Sequence, residues 1–193
     1  MSYLRKAEWE IVPDNNPEVR RNCPKCGEKT RYVNTEKFRV NANKSHIDIW
    51  LIYQCNKCKS TWNLTIYERI NPGYLCHNEY QRFLDNDKEL AESYGFDPGI
   101  HNRNKSELIL DSIDYHIISK ESLEYSKEEN VYEIKLYCKY PLELRVDKLI
   151  SEQYNISRNQ VKNLCQKGSI YSLQGKNLLK AKIYDGMIIY RKF

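Results

Sequence analysis

Cys23-Pro24-Lys25-Cys26-Gly27 and Cys55-Asn56-Lys57-Cys58, parted by the 28 residues from 27 to 54, decide how this 193-residue chain is read. Each Cys-x-x-Cys pair offers two thiolates to one metal, and four thiolates complete the tetrahedral sphere of Zn²⁺. Pro24 fixes a turn, and Gly27 is suited to the positive φ needed just after the second ligand. The expectation is a structural zinc ion held by Cys23, Cys26, Cys55 and Cys58. Disulfides and a redox dithiol are the alternatives. Seven cysteines without an apolar leader at Met1-Ser2-Tyr3-Leu4-Arg5-Lys6 point to a reducing, cytoplasmic setting, where thiols bind metal instead of pairing. Cys76, Cys138 and Cys165 are then left over, each expected to be a buried, apolar-like thiol.

The residues around these pairs read as strands. Lys37-Phe38-Arg39-Val40-Asn41 alternates polar and apolar, and Asn41-Ala42-Asn43-Lys44-Ser45 is a turn. Ile47 to Tyr53 is apolar on both faces, as a central strand is. Trp62, Leu64 and Ile66 alternate with Thr61, Asn63 and Thr65. Together these predict a three-stranded antiparallel sheet, which resembles a zinc ribbon. Trp50 and Trp62 read as packing residues.

Charge divides the chain. Residues 20–70 hold 11 Lys and Arg against 4 Asp and Glu, and residues 145–193 hold 10 against 3. Residues 71–144 hold 8 against 15. Three regions are therefore expected: a ribbon with an N-terminal strand over 1–70, an acidic helical and β region over 71–144, and a basic module over 145–193. The fold class is α+β. The basic ends suit a polyanion such as nucleic acid, through phosphate neutralisation and counterion release. The acidic region is a candidate surface for a protein partner. No apolar run is long enough to span a membrane.

Trp9-Glu10-Ile11-Val12, stopped by Pro13, reads as a short strand leading into the ribbon. Helical spacing follows at Leu75, Tyr80, Phe83 and Leu84, then at Leu90, Ala91 and Tyr94, with Asp87 or Asn86 as cap and Gly95 as terminator. A short helix is expected over 103–112. Strands are expected over Ile113 to Ser119 and Val131 to Tyr140, parted by the acidic loop Lys120 to Asn130. No nucleophile–base pair and no glycine-rich phosphate loop occurs in this stretch. An enzyme would need its site here, because a closed four-thiolate zinc leaves no place for an activated water.

In the C-terminal region, Val146, Leu149 and Ile150 mark a first helix. Ser157-Arg158-Asn159-Gln160 is a capping box that opens a second, which Lys167-Gly168 ends. Ile170-Tyr171 and Ile183 to Tyr190 read as strands joined by turns at Gln174-Gly175 and Asp185-Gly186. Arg145-Val146-Asp147, then Ser157-Arg158, then Lys167-Gly168-Ser169-Ile170, resemble the small RNA-binding domain named after ribosomal small-subunit protein four. This chain departs from that pattern with Val161 at a position where a small residue is usual, and with its turn at Gln174-Gly175. The resemblance implies RNA contact through Arg158, Lys162 and their neighbours on the second helix, with Asp147 steadying Arg145 or the helix end. With Lys148 and Lys167, and with Lys37, Arg39 and Lys44 of the ribbon, these cations form the candidate nucleic-acid surface. Over its whole length the chain is similar to the bacterial family grouped as domain of unknown function 1062. The carrying residues are Trp9-Glu10-Ile11-Val12-Pro13, the two cysteine pairs, Lys37 to Asn43, Asp48 to Tyr53 and Thr61-Trp62-Asn63. The leading expectation is a non-enzymatic, zinc-containing protein that binds structured or ribosomal RNA; a DNA-binding regulator and a protein adaptor are the alternatives.

Overall fold

A computed structural model describes residues 2–43, 45–126, 131–173 and 177–192. The fold is α+β, with two five-stranded sheets and five α-helices among the described residues. The chain divides into two compact units, a first of Met1–Asp14 with Asp114–Phe193 and a second of Asn15–Ile113. The breaks expected near residues 70 and 144 from the change of charge fall inside these units. Charge reports the solvated surface, whereas a compact unit is set by which strands share a sheet.

The first unit begins with β1 (Ser2–Pro13), which pairs antiparallel along its full length with β7 (Tyr115–Ser126). The amide of Asp14 donates to the carbonyl of Asp114 at 2.8 Å, so residues 15–113 are inserted between the two strands of one ladder. The strand at Trp9 therefore does not lead into the ribbon. It runs through the middle of another sheet, ordered β7-β1-β8-β10-β9, with β8 (Val131–Tyr137) parallel to it. Ala7, Trp9 and Ile11 alternate inward and are buried. Trp9 meets Tyr154 at 6.1 Å between ring centroids. Strand β7 continues to Ser126 through what was read as an acidic loop; residues 127–130 lie outside the described ones. Helices α4 (Val146–Gln153) and α5 (Arg158–Gln166) follow, then β9 (Ile170–Tyr171) and β10 (Ile188–Lys192). The capping box forms in both directions between Ser157 and Gln160, an arrangement that contributes about 1 kcal/mol. Gly168 has φ +70°, as the helix end requires. The turn expected at Asp185-Gly186 is present, with Gly186 at φ +77°, and the last strand starts after it at Ile188; the turn expected at Gln174-Gly175 lies outside the described residues.

The second unit carries β2 (Glu18–Cys23), β3 (Glu28–Asn43), β4 (His46–Cys55), β5 (Thr61–Ile70) and the short β6 (Glu107–Ile109) in an antiparallel sheet ordered β5-β4-β3-β2-β6. It is two strands wider than expected. The tract read as a helix over 103–112 instead ends α3 (Pro98–Arg103) and supplies β6, because the three residues of Glu107–Ile109 complete the free edge of β2. Helices α1 (His77–Leu84) and α2 (Lys88–Gly95) cover one face of the sheet, burying Phe83, Leu90 and Ala91 with Phe38, Leu51 and Tyr53. Leu84, read as part of that face, is exposed. Cys76 is exposed instead of buried, because it caps α1, accepting from the amide of Glu79 at 3.3 Å, and Asp87 caps α2 by accepting from Leu90 at 2.8 Å.

Gly95 does not close α2 through a positive φ, since Phe96 is the cap residue. Its lack of a side chain lets the helix approach the sheet: a Cβ there would meet Asn34 Nδ2 at 2.9 Å and Asn16 Oδ1 at 3.2 Å. Gly95→Ala should therefore lower stability by about 1–3 kcal/mol, the usual cost of overpacking. A urea midpoint equal to or above that of the parent would show that the contact yields freely.

Candidate metal centre and basic surfaces

Cys23 ends β2 and Cys55 ends β4, so the strand ladder brings both sulfurs to one end of the sheet beside the turns that carry Cys26 and Cys58. The turns are built alike. Gly27 N donates to Cys23 O at 2.9 Å, and Lys59 N to Cys55 O at 3.0 Å. The residue after the second cysteine takes a positive φ in both, +72° at Gly27 and 60° at Lys59. Glycine does this freely; lysine does it at some cost, so the second turn is held by its surroundings. The four sulfurs lie within 4.8 Å of one another, with Cys23 and Cys58 at 3.6 Å. A tetrahedral ion with bonds of about 2.3 Å to sulfur places its ligands about 3.8 Å apart, so this donor set fits a metal. Cys23, Cys26, Cys55 and Cys58 would hold it, and it would supply a structural cross-link between two hairpins.

A second layer of donors surrounds the sulfurs. Ser60 Oγ lies 2.9 Å from Cys58 Sγ and 3.7 Å from Cys23 Sγ, and Thr30 Oγ1 lies 3.3 Å from Cys55 Sγ. A hydrogen bond from Tyr32 outweighs burial and, with the amide of Cys26, holds the Cys23 thiol down at about 5. Burial opposes ionisation of Cys55, yet the amides of Cys58 and Lys57 and the Thr30 hydroxyl together lower it. Burial, reinforced by the neighbouring sulfurs, pushes Cys26 up to about 12. Such donors favour thiolate and orient it, as supporting groups do around metal ligands.

Arg21 was missed in the sequence. It shares the inner face of β2 with Cys23, and its guanidinium sits 3.9 Å over the ring of Trp62, a contact of about 0.5–2 kcal/mol. Trp62 in turn packs against Tyr53 and Tyr32, as a core residue should. The signal available was its position two residues before a ligand, on the same strand face.

The expected cations fall into two groups, one in each unit. In the second unit, Lys37 and Arg39 are exposed on β3, and Arg39 stands opposite Trp50. Lys44 lies outside the described residues. In the first unit, Arg145 is the cap residue of α4, Lys148 lies on α4, Arg158 and Lys162 lie on α5, and Lys167 is its cap; all are exposed. Asp147, 7 % exposed at its side chain, joins the two arginines. Its Oδ1 accepts from Arg145 Nε at 3.0 Å; its Oδ2 accepts from Arg145 Nη2 at 2.9 Å and from Arg158 Nη2 at 2.7 Å. Arg145 also donates to the carbonyl of Leu179. The sequence linked Asp147 to Arg145 but did not link it to Arg158. Each arginine side chain stays about half exposed, at 47 % and 52 %.

In the acidic region, His101 is buried between Ser106 Oγ and the carbonyl of Gly95 at 2.8 and 2.9 Å, and burial lowers it to about 4, which keeps it neutral. It serves the core, as its isolation in the sequence suggested. No helix among the described residues is long and apolar enough to cross a membrane.

A family model described as "Protein of unknown function (DUF1062)" matches residues 40–176, more than half of the chain. No curated protein and no solved structure matches it.

Proposed function

The chain belongs to the DUF1062 family, and we propose that it acts as a non-enzymatic, zinc-containing cytoplasmic protein that binds RNA. In this reading Cys23, Cys26, Cys55 and Cys58 hold Zn²⁺, and the second unit is an enlarged zinc ribbon. Four thiolates suit zinc because it imposes no geometry of its own, and they close its sphere to water. The zinc is structural.

One observation carries the RNA reading: the pair of half-exposed arginines, Arg145 and Arg158, anchored on the buried carboxylate of Asp147. Two guanidinium groups on one carboxylate leave a net positive charge. Their planar donors are held in place, so little side-chain entropy is lost when a phosphate binds. Lys162 and Lys167 add charge on the same helix and its cap, without an ion pair among the described residues. The order of α4, α5, β9 and β10 supports a module like the RNA-binding domain of ribosomal small-subunit protein four. Lys37 and Arg39 provide a second, separate contact. Two modest sites on one chain gain through effective concentration wherever both reach the same RNA.

Ultraviolet crosslinking in cells, followed by sequencing of attached RNA and mapping of modified peptides, tests this reading. Crosslinks should fall within 145–167 and near 37–50. Recovery of DNA in place of RNA would move the protein to the DNA-binding class, and recovery of a protein partner alone would make it an adaptor.

A further inference from the structure

The outer face of the sheet in the second unit, away from α1 and α2, presents an aromatic ring that the core does not use. Strand pairing sets Arg39, Trp50 and Thr65 side by side across β3, β4 and β5, with Ile52 beside Asn63 and Asn41 beside Asp48. Burial alternates along β4: Ile47, Ile49, Leu51, Tyr53 and Cys55 point inward, and Trp50 lies half-buried on the other side. The other two tryptophans are explained, Trp9 by Tyr154 and Trp62 by Tyr32, Tyr53 and Arg21. Trp50 has no such ring or cation contact among the described residues. Arg39 and Lys37 are exposed and carry no ion pair among them either. Of the nearby acids, Asp48 accepts from the amide of Arg69 at 2.8 Å, and Glu36 lies 3.6 Å from Lys88.

We infer that Trp50 is a stacking platform for an unpaired nucleobase, with Arg39 and Lys37 neutralising the adjoining phosphates. The ligand is a single-stranded RNA segment. An aromatic ring accepts any base by its π-face, a cation beside it tracks the backbone, and amides and hydroxyls such as those of Asn63 and Thr65 reach base edges. A duplex keeps its base faces inside the stack and has no ring to offer Trp50. Arg39 and Lys37 outnumber the carboxylate of Asp48 on this face, and so favour a polyanion there. This inference rests on the RNA reading above and adds to it the strandedness of the ligand and the place where it is read.

The full-length, zinc-loaded protein should be titrated with a fluorescent single-stranded oligouridylate and, separately, with an RNA duplex of equal length. Trp50→Ala should weaken binding of the single strand about tenfold or more, Trp50→Phe should retain most of it, and duplex binding should change by less than about twofold. If Trp50→Ala does not fold, Arg39→Gln, at an exposed position, should still weaken the single strand by about threefold or more and flatten its salt dependence. Single-strand affinity unchanged in Arg39→Gln and in the folded Trp50 variants would overturn the platform while leaving RNA binding through α4 and α5 intact. Failure of the parent protein to bind either RNA would remove the RNA reading and the platform together.

Discussion

Replacing Cys55 with serine should release the metal and unfold residues 15–113. Cys55 is fully buried at the end of β4, accepts from Thr30, and belongs to the turn that orders Cys58. A structural zinc ion contributes about 10–16 kcal/mol of apparent binding free energy, as much as or more than the whole stability of a typical domain, about 5–15 kcal/mol. With the proposed ion in place, removing one thiolate from four would therefore remove the dominant cross-link between β2–β3 and β4–β5. The same loss should follow treatment of the parent with a strong chelator. Native mass spectrometry reads the metal, and amide hydrogen exchange reads the two units separately. Protection should collapse in β2 to β5 and persist in β1, β7 and β8, which contain no ligand. Full protection of β4 in a metal-free Cys55→Ser protein would show that the hydrophobic core of this unit suffices without an ion.

The second large effect is expected at Asp147. Asp147→Asn keeps the shape but removes the charge that two arginines share, leaving both guanidinium groups facing a neutral amide. Breaking a buried pair costs about 3–5 kcal/mol, and because the arginines are half in water the loss here should be nearer 2–3 kcal/mol. RNA affinity should fall as well, since Arg145 and Arg158 lose their common anchor. The pH dependence has a definite sign. Burial alone would raise the carboxyl pKa, but Arg158 and Arg145 together lower it below the usual carboxylate range. Its stabilising contribution is thus complete above the unfolded value of about 3.9 and disappears as pH falls through the lower folded value. Urea unfolding of the parent and of Asp147→Asn at pH 7 and at pH 3 should give midpoints that differ widely at the first pH and less at the second, where the carboxylate begins to protonate in the unfolded chain. Equal midpoints at pH 7 would contradict the role given to this carboxylate.

The cysteine spacing and strand alternation made the centre of the second unit legible, because ligand pairs and period-two burial are both local signals. Ser157, Gln160, Asp87 and Gly168 were legible for the same reason: a helix end is decided within a few residues. What the sequence hid was long-range pairing. Nothing near Trp9 indicates that β1 would align with β7, more than a hundred residues later, and β6 exists only because the edge of β2 is there to receive it. Arg21 was not singled out because its contact depends on Trp62, a partner distant in sequence. Arg158 was recognisable as a cation, but its tie to Asp147 depends on the angle at which α4 and α5 meet. The strand of Trp50 is apolar on both sides, so the sequence does not tell its two faces apart, and only the register shows which side the helices cover.

The salt dependence of RNA affinity tests the central claim most directly. Titrations of the zinc-loaded protein with a structured RNA carrying single-stranded loops, between low and physiological salt, should give a linear fall of log affinity with log salt, with a slope of about −3 to −5 for several phosphate contacts. Arg158→Gln should make that slope shallower by about one. No measurable affinity at low salt, or an affinity that does not change with salt, would contradict the assignment of these two basic surfaces to RNA.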